Sequence, residues 1–205
     1  MTLSLPLFIV FEGIDGCGKS TLAALLADHW SSQGIPVYRG TEPTEGAWGR
    51  RIREMLRSGE LPDPEAQMSL FLNDREEDVR RNITPALEQG KLIILDRYYF
   101  SNAAYQGSEN LPPSRIVEEN LARGFPVPHR VYLVDLDPAK ALRRIEERNS
   151  GGKKEAFEKT GALQRVREAY LSLRDDTFFL IDSRDKPAIL LKQILKDMEQ
   201  NFSLR

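Results

Sequence analysis

A single cysteine, Cys17, stands in a chain of 205 residues, so no internal disulfide can staple the fold and the core has to hold it alone. Acidic and basic residues nearly cancel, 31 against 29 for a formal net charge of -2, and the two signs are interspersed. No basic stripe of the kind that nucleic-acid backbones or anionic membranes attract is present, so any recognition of phosphate must be local. Apolar runs stay far short of the ~20 residues that span a bilayer, and no charged-then-apolar leader precedes a cleavage site. Internal repeats and low-complexity tracts are missing too. These absences point to a cytoplasmic protein with neither nucleic acid nor membrane as partner. With 40% hydrophobic residues, the chain is long enough for one domain with a full core and a small mobile attachment.

Short apolar runs alternate with helix-patterned stretches: LFIVF at 7–11, PVYR at 36–39, KLIIL at 91–95, RVYLV at 130–134 and TFFLI at 177–181. Runs this short and this rich in Val, Ile, Leu and Phe read as strands covered on both faces, the mark of a parallel sheet between helices. The class is α/β. Lys19 to Gln33 reads as a helix closed by Gly34, and Ala66 to Gln89 as a long one closed by Gly90, with Pro85 bending its last turns. A further helix runs from Pro138 to Arg148 behind Asp137 as N-cap. Asn149 to Lys154, NSGGKK, interrupts the helical pattern as a hinge-like loop, so that about 144–158 forms a lid. From Lys186 the pattern is that of a closing amphipathic helix.

Residues Gly13 to Ser20 spell GIDGCGKS, which fits G-x-x-x-x-G-K-[ST] at every fixed position, between a strand and a helix as that motif requires. The glycines have a steric purpose. Consecutive backbone N–H groups wrap a polyphosphate only where no side chain blocks the approach and the chain can take positive φ. The helix from Lys19 adds its positive end, Lys19 a mobile cation, and the Ser20 hydroxyl a ligand for Mg²⁺. Cys17 fills a variable position where a small residue fits; beside a lysine and a helix N-terminus its thiol is expected to have a lowered pKa, and alkylation to inactivate the protein unless nucleotide is bound.

The glycine loop leaves GTPases, ATPases and kinases open. Downstream, KLIILDRYYFSNAAYQG ends a strand in Asp96 and Arg97 and continues through Ser101, Asn102, Tyr105 and Gln106. At the carboxyl end of a parallel strand these groups face the same crevice as the glycine loop. A guanidinium there can grip a phosphate with a planar fork, while aromatic and amide groups suit a base and sugar. Phe71 and Arg75, four apart on a helix, offer a ring for stacking beside a hydrogen-bond fork; the competing reading makes them a core residue and its solvated neighbour. Arg53 reads either as a phosphate ligand or as cover for a helix surface.

Taken together, FEGIDGCGKST, the TEP at 41–43 followed by GRRIRE, LFLNDRE at 70–76, DRYYFSNAAYQG at 96–107 and the ID at 181–182 resemble the thymidylate kinase family in order and spacing from about residue 7 to 183. The resemblance implies a three-layer P-loop kinase fold with five parallel strands flanked by helices, usually a homodimer. It also implies transfer of the γ-phosphoryl of Mg·ATP to dTMP. On that basis thymine lies against Phe71 with Arg75 and Asn102 at its polar edge and Gln106 beside it. Arg53 and Arg97 hold the monophosphate, with Ser101 nearby. Asp15 meets the 3′-hydroxyl or nearby phosphate, and Tyr105 fills the space of a ribose 2′-hydroxyl. Glu42 and Asp96 lie close to the transfer site, Asp96 reaching the metal through water. Gly13, Asp15, Gly16, Cys17, Gly18, Lys19, Ser20 and Thr21 cradle ATP, joined by Arg144, Arg148 and Asp182.

Family members supply a mobile arginine from the glycine loop or from the lid. Gly16 follows Asp15 here, so the cation has to come from Arg144, Arg148, Lys153 or Lys154, and Arg148, at a helix end beside the hinge, is the choice. Two departures from the family pattern each remove a positive charge near phosphate: Thr41 stands where many members have arginine, and Ala156 opens the lid segment Ala156-Phe157-Glu158. Two further readings stay open, a related deoxynucleotide or deoxynucleoside kinase of different base preference and a non-catalytic nucleotide-binding protein.

Overall fold

A computed structural model describes residues 3–108, 110–149 and 156–203, giving only the backbone for 148–149 and 156–159. Five parallel strands form one sheet: β1 (Leu7–Glu12), β2 (Val37–Thr41), β3 (Leu92–Asp96), β4 (Arg130–Asp135) and β5 (Phe178–Asp182), in the order β2-β3-β1-β4-β5. The alternation of side chains along each strand divides the core in two. Leu7, Ile9 and Phe11 of β1 join Leu92 and Ile94 of β3 and Tyr132 and Val134 of β4 on one face. Phe8, Val10, Ile93, Leu95, Val131 and Leu133 lie on the other. The first face is covered by α1 (Lys19–Ser32) and α9 (Pro187–Phe202) through Leu22, Leu26, Trp30, Leu190, Ile194 and Met198. The second is covered by α4 (Thr84–Glu88), α5 (Tyr99–Gln106) and α8 (Ala156–Ser172).

The three inner strands are buried on both sides, as their unbroken apolar runs require. β2 and β5 are sheet edges and only half-buried. Their runs look the same in sequence because exposure depends on strand order, which is set by pairing between distant segments.

The long helix departs from the pattern expected of it. It opens two residues earlier, as α3 (Pro64–Asp78), behind Asp63, whose carboxylate accepts from the Ala66 N–H at 3.0 Å. It then widens into a π turn over Val79–Ile83 before α4. Thr84, just before Pro85, donates its N–H to the Val79 carbonyl five residues back; the adjustment sits in the turn ahead of the proline, which has no N–H of its own to give. Met68 and Leu72 pack with Ala103, Leu111, Ile116 and Phe125, so this stripe belongs to the chain's own core. Ser150 to Lys154, with Lys153 and Lys154 of the expected hinge, lies outside the described residues. The helix before it, α7 (Pro138–Asn149), opens at Asp137 as expected, its side chain accepting from the Lys140 N–H at 3.1 Å.

In register, Phe11 and Thr41 both stand opposite Asp96, and Asp135 stands opposite Asp182. The carboxyl ends of all five strands therefore open onto one crevice, where β1 runs into the glycine loop and β3 into Arg97. Ile94, fully buried in the middle of β3, is one of the side chains on which that alignment rests. Its change to alanine should cost about 2–5 kcal/mol, read as a lower urea midpoint at unchanged slope; a loss under about 1 kcal/mol would mean that this face is loosely packed.

Candidate active site

The glycine loop leaves β1 with Gly13, Gly16 and Gly18 all at positive φ. At Gly16 the constraint has a second source. A Cβ there would lie 2.4 Å from the Ala141 carbonyl oxygen of α7, so an arginine at that position would require the loop or α7 to move. Lys19 begins α1, is 5% exposed and donates from Nζ to the Ile14 carbonyl at 3.1 Å, which curls it back over the loop. Asp15 to Leu22 line a cavity of about 370 Å³, closed on its far side by Arg144, Ile145, Ser183, Asp185, Pro187 and Leu190. Arg144 is held there: its guanidinium donates to the Ser183 carbonyl at 2.9 Å, the Ser183 hydroxyl at 3.2 Å and the Cys17 carbonyl at 3.4 Å. Asp182 turns away to Arg184, and its neighbours Ser183 and Asp185 line the cavity in its place.

Cys17 corrects an expectation. Its side chain is fully buried, and burial pushes the thiol up, against the smaller downward pull of Lys19. The lysine and the helix end were readable locally; the depth was not. A buried neutral thiol is a packing group, inert toward alkylation in the native state.

The second cavity, about 190 Å³, is lined by Asp15, Glu42, Pro43, Leu56, Phe71, Arg75, Arg97, Tyr98, Ser101, Asn102, Tyr105 and Gln106. All the groups expected around an acceptor nucleotide are present except Arg53, on α2 (Ala47–Ser58), whose guanidinium bonds the Pro43 carbonyl at 2.8 Å and Glu45 at 2.7 Å. Asp15 belongs to both cavities. Its Oδ1 accepts from Arg97 Nη2 at 2.6 Å and its Oδ2 from the Tyr105 hydroxyl at 3.2 Å. Burial pushes the Asp15 carboxyl up, but Arg97 and Lys19 outweigh it and hold it below the ordinary range.

Arg97 has φ 75, a left-handed conformation that costs a residue with a Cβ about 1–3 kcal/mol and persists only where the surroundings enforce it. The enforcement comes from Glu12, which the sequence reading passed over. Fully buried at the end of β1, its carboxylate accepts from the N–H groups of Tyr98 at 2.9 Å and Ser101 at 3.1 Å and from the hydroxyls of Ser101 at 2.5 Å and Tyr170 at 3.0 Å. Burial raises its pKa while these donors and the charge of Arg97 oppose the rise. Ser101 and Tyr170 in turn meet Arg97 Nη1 at 2.9 and 3.4 Å. One buried carboxylate thus fixes the start of α5 and, through two hydroxyls, the guanidinium.

Arg75 is likewise buried, so it is no solvated neighbour of a core residue, and it lines the smaller cavity together with Phe71. Its Nε and Nη2 both grip Glu42 Oε2, at 2.9 and 2.5 Å, and it lies over the Tyr98 ring at 5.0 Å. Burial drives the Glu42 carboxyl up to about 8, with Asp78 and Asp74 adding to the rise and Arg75 opposing it. Asn102 donates to Gln106 Oε1 at 3.2 Å, leaving its own buried Oδ1 without a partner.

A third hollow, about 430 Å³, holds Ser20, Ala23, Arg39, Gly40, Thr41 and Asp96. Asp96 Oδ1 is buried with no partner, in the hollow that Ser20 also lines. One unfilled carboxylate oxygen and one hydroxyl suit a hydrated Mg²⁺, which ordinarily takes one or two protein groups and completes its shell from phosphate and water. Arg39 was missed, although its spacing was a usable signal: two residues before Thr41, it falls on the same face of β2 and brings positive charge to the hollow that Thr41 lacks.

A sequence model of the family described as Thymidylate kinase matches residues 11–194. The chain belongs to the thymidylate kinase family. It is 41% identical over 204 residues to the thymidylate kinase of Leptospira borgpetersenii, covering 99% of this chain and 98% of the other. It is 40% identical over 191 residues to that of Leptospira interrogans, covering 93% of each, and 37% over 196 residues to that of Akkermansia muciniphila, covering 95% and 92%. No helix among the described residues is long and apolar enough to cross a membrane. For a thymidylate kinase with Cys17 at this depth, iodoacetamide at pH 8 should leave the native protein unmodified by mass and fully able to bind nucleotide, with labelling only in denaturant; stoichiometric labelling of the folded protein would contradict the burial.

Proposed function

We propose that the chain transfers the γ-phosphoryl group of Mg·ATP to dTMP, giving dTDP and ADP, as one domain whose lid spans about 144–158. The observation that carries the reading is the polar edge of the smaller cavity. Its lining brings together the N–H donors of Arg75, an unfilled acceptor, Asn102 Oδ1, and the ring of Phe71. A 4-oxo pyrimidine has the complementary pair, an O4 acceptor next to an N3–H donor, and a cytosine has the reverse. Tyr105, braced on Asp15, leaves a deoxyribose its room and crowds a 2′-hydroxyl.

In this reading Arg97 holds the acceptor phosphate and the loop amides with Lys19 hold the donor phosphates. The two anions meet beside Asp15, which supplies the link between the cradles. Ser20 and, by way of water, Asp96 would hold a Mg²⁺ ion, whose positive charge would offset that of the donor phosphates. No side chain takes the phosphoryl group; positioning and cations lower the barrier. Arg39 offsets part of the charge missing at Thr41. Arg53 reaches the acceptor phosphate only after leaving Glu45, and Glu42 serves the base site through Arg75. Arg144 is occupied by the loop itself; of the remaining lid cations, Arg148, Lys153 and Lys154, Arg148 at the end of α7 is the choice for the transferring group. A homodimer is part of the proposal, to be read by light scattering.

A coupled assay for ADP formation tests the reaction. Turnover with dTMP should exceed that with dUMP by about 10–200-fold in kcat/KM, the range one methyl group provides, and thymidine should give none. ATP binding without transfer to any monophosphate would sink the proposal. Arg148→Ala should lower kcat by roughly 10³ or more while changing dTMP affinity by less than threefold; near-normal turnover would remove Arg148 from the mechanism.

A further inference from the structure

We infer that Asn120, which lies behind the acceptor cavity on α6 (Pro113–Ala122), sets the base preference of the site by fixing the direction of Arg75. The inference rests on reading that cavity as the pyrimidine site. Asn120 is fully buried within a helix, a place where an amide survives only with its hydrogen bonds made. Its Nδ2 donates to the Ile116 carbonyl of the same helix at 2.6 Å, and its Oδ1 accepts from Arg75 Nη1 at 2.7 Å. Both ends are therefore committed. Turning the amide over would set N–H against N–H at the guanidinium and oxygen against oxygen at Ile116, so the side chain has one orientation.

The guanidinium is thereby held from two sides. Glu42, just beyond β2, takes the Nε and Nη2 edge, and Asn120 takes Nη1 from the opposite direction. Three of the five N–H groups are used, leaving one on each terminal nitrogen. Glu42 alone would permit the fork to pivot about its single accepting oxygen, since both of those bonds end on Oε2. Asn120 removes the pivot. A guanidinium only donates, so a fork held in one plane accepts a base carrying a ring carbonyl at position 4 and opposes one carrying an amino group there. A fork free to swing would withdraw from the amino group and lose that opposition. The 5-methyl group is read by the cavity's shape, a separate matter.

The experiment compares binding of dTMP, dUMP and dCMP to the wild-type protein and to Asn120→Leu, Asn120→Ser and Asn120→Asp by titration calorimetry, with dTMP turnover measured alongside. Leucine keeps the bulk without the acceptor; serine withdraws it from reach; aspartate, taking up a proton for the Ile116 carbonyl in place of the amide N–H, keeps an oxygen toward Arg75. For the leucine and serine variants the dTMP to dCMP affinity ratio should fall by about tenfold or more, with the dTMP to dUMP ratio and the KM for ATP within twofold of wild type. Aspartate should keep the wild-type dTMP to dCMP ratio. If leucine does not fold, the serine and aspartate pair decides the matter on the same terms. The inference is overturned if the dTMP to dCMP ratio survives loss of the acceptor, if all three nucleotides weaken equally, or if aspartate fails to retain the ratio. A wild-type protein that neither binds nor phosphorylates dTMP would instead remove the reading of the cavity itself, and the inference with it.

Discussion

The ion pair between Asp15 and Arg97, closed at 2.6 Å, is the point at which the two cavities of the proposed site are joined. Asp15 comes from the glycine loop after β1, Arg97 from the turn after β3, and the two strands are direct neighbours in the sheet. Each partner also borders the acceptor cavity, and Asp15 borders the donor cavity as well. The pair is only half sheltered, with Asp15 57% exposed at its side chain, so it contributes modestly to stability. Its value is geometric. It ties the end of the glycine loop to the guanidinium that lines the neighbouring cavity.

Such a pair needs a backing that does not give. Glu12 provides it from below: a charged group with no exposure is costly unless every lone pair is met, and here two amides and two hydroxyls meet them. The positive φ at Arg97 is affordable because this network over-determines the turn. Arg75, Glu42 and Asn120 repeat the arrangement on the far wall, where a buried cation is held by a carboxylate and an amide drawn from different elements. Rigid polar clusters on both sides of a small cavity suit a site that must discriminate a base and align a phosphate.

Much of this was legible in the letters, for identifiable reasons. The inner strands announced themselves because burial on both faces leaves no polar alternation, and the glycine loop because only glycine meets its backbone demands. Phe71, Arg75, Asn102 and Tyr105 could be placed through helical spacing and the strand-exit rule. What stayed hidden depends on contacts across long stretches of chain. Glu12 meets Tyr170 over 158 residues and Arg75 meets Asn120 over 45, and no local pattern marks either. Cys17 was misjudged for the same reason: its neighbours along the chain suggested a thiolate, whereas the sheet and helices packed around it make it a small apolar filler. Ser183, one residue past the end of β5, lines the cleft where Asp182 was expected, because successive side chains at a strand end face opposite ways.

The claim that matters most is that donor and acceptor phosphates share one continuous space beside Asp15. Its most direct measurement is the binding, by titration calorimetry, of a single molecule in which adenosine and thymidine are joined through a polyphosphate chain. If both cradles are filled at once, the linked compound should bind about 10²–10⁴-fold more tightly than the better of its separate halves. Affinity no greater than that of the better half, whatever the length of the chain, would contradict the account.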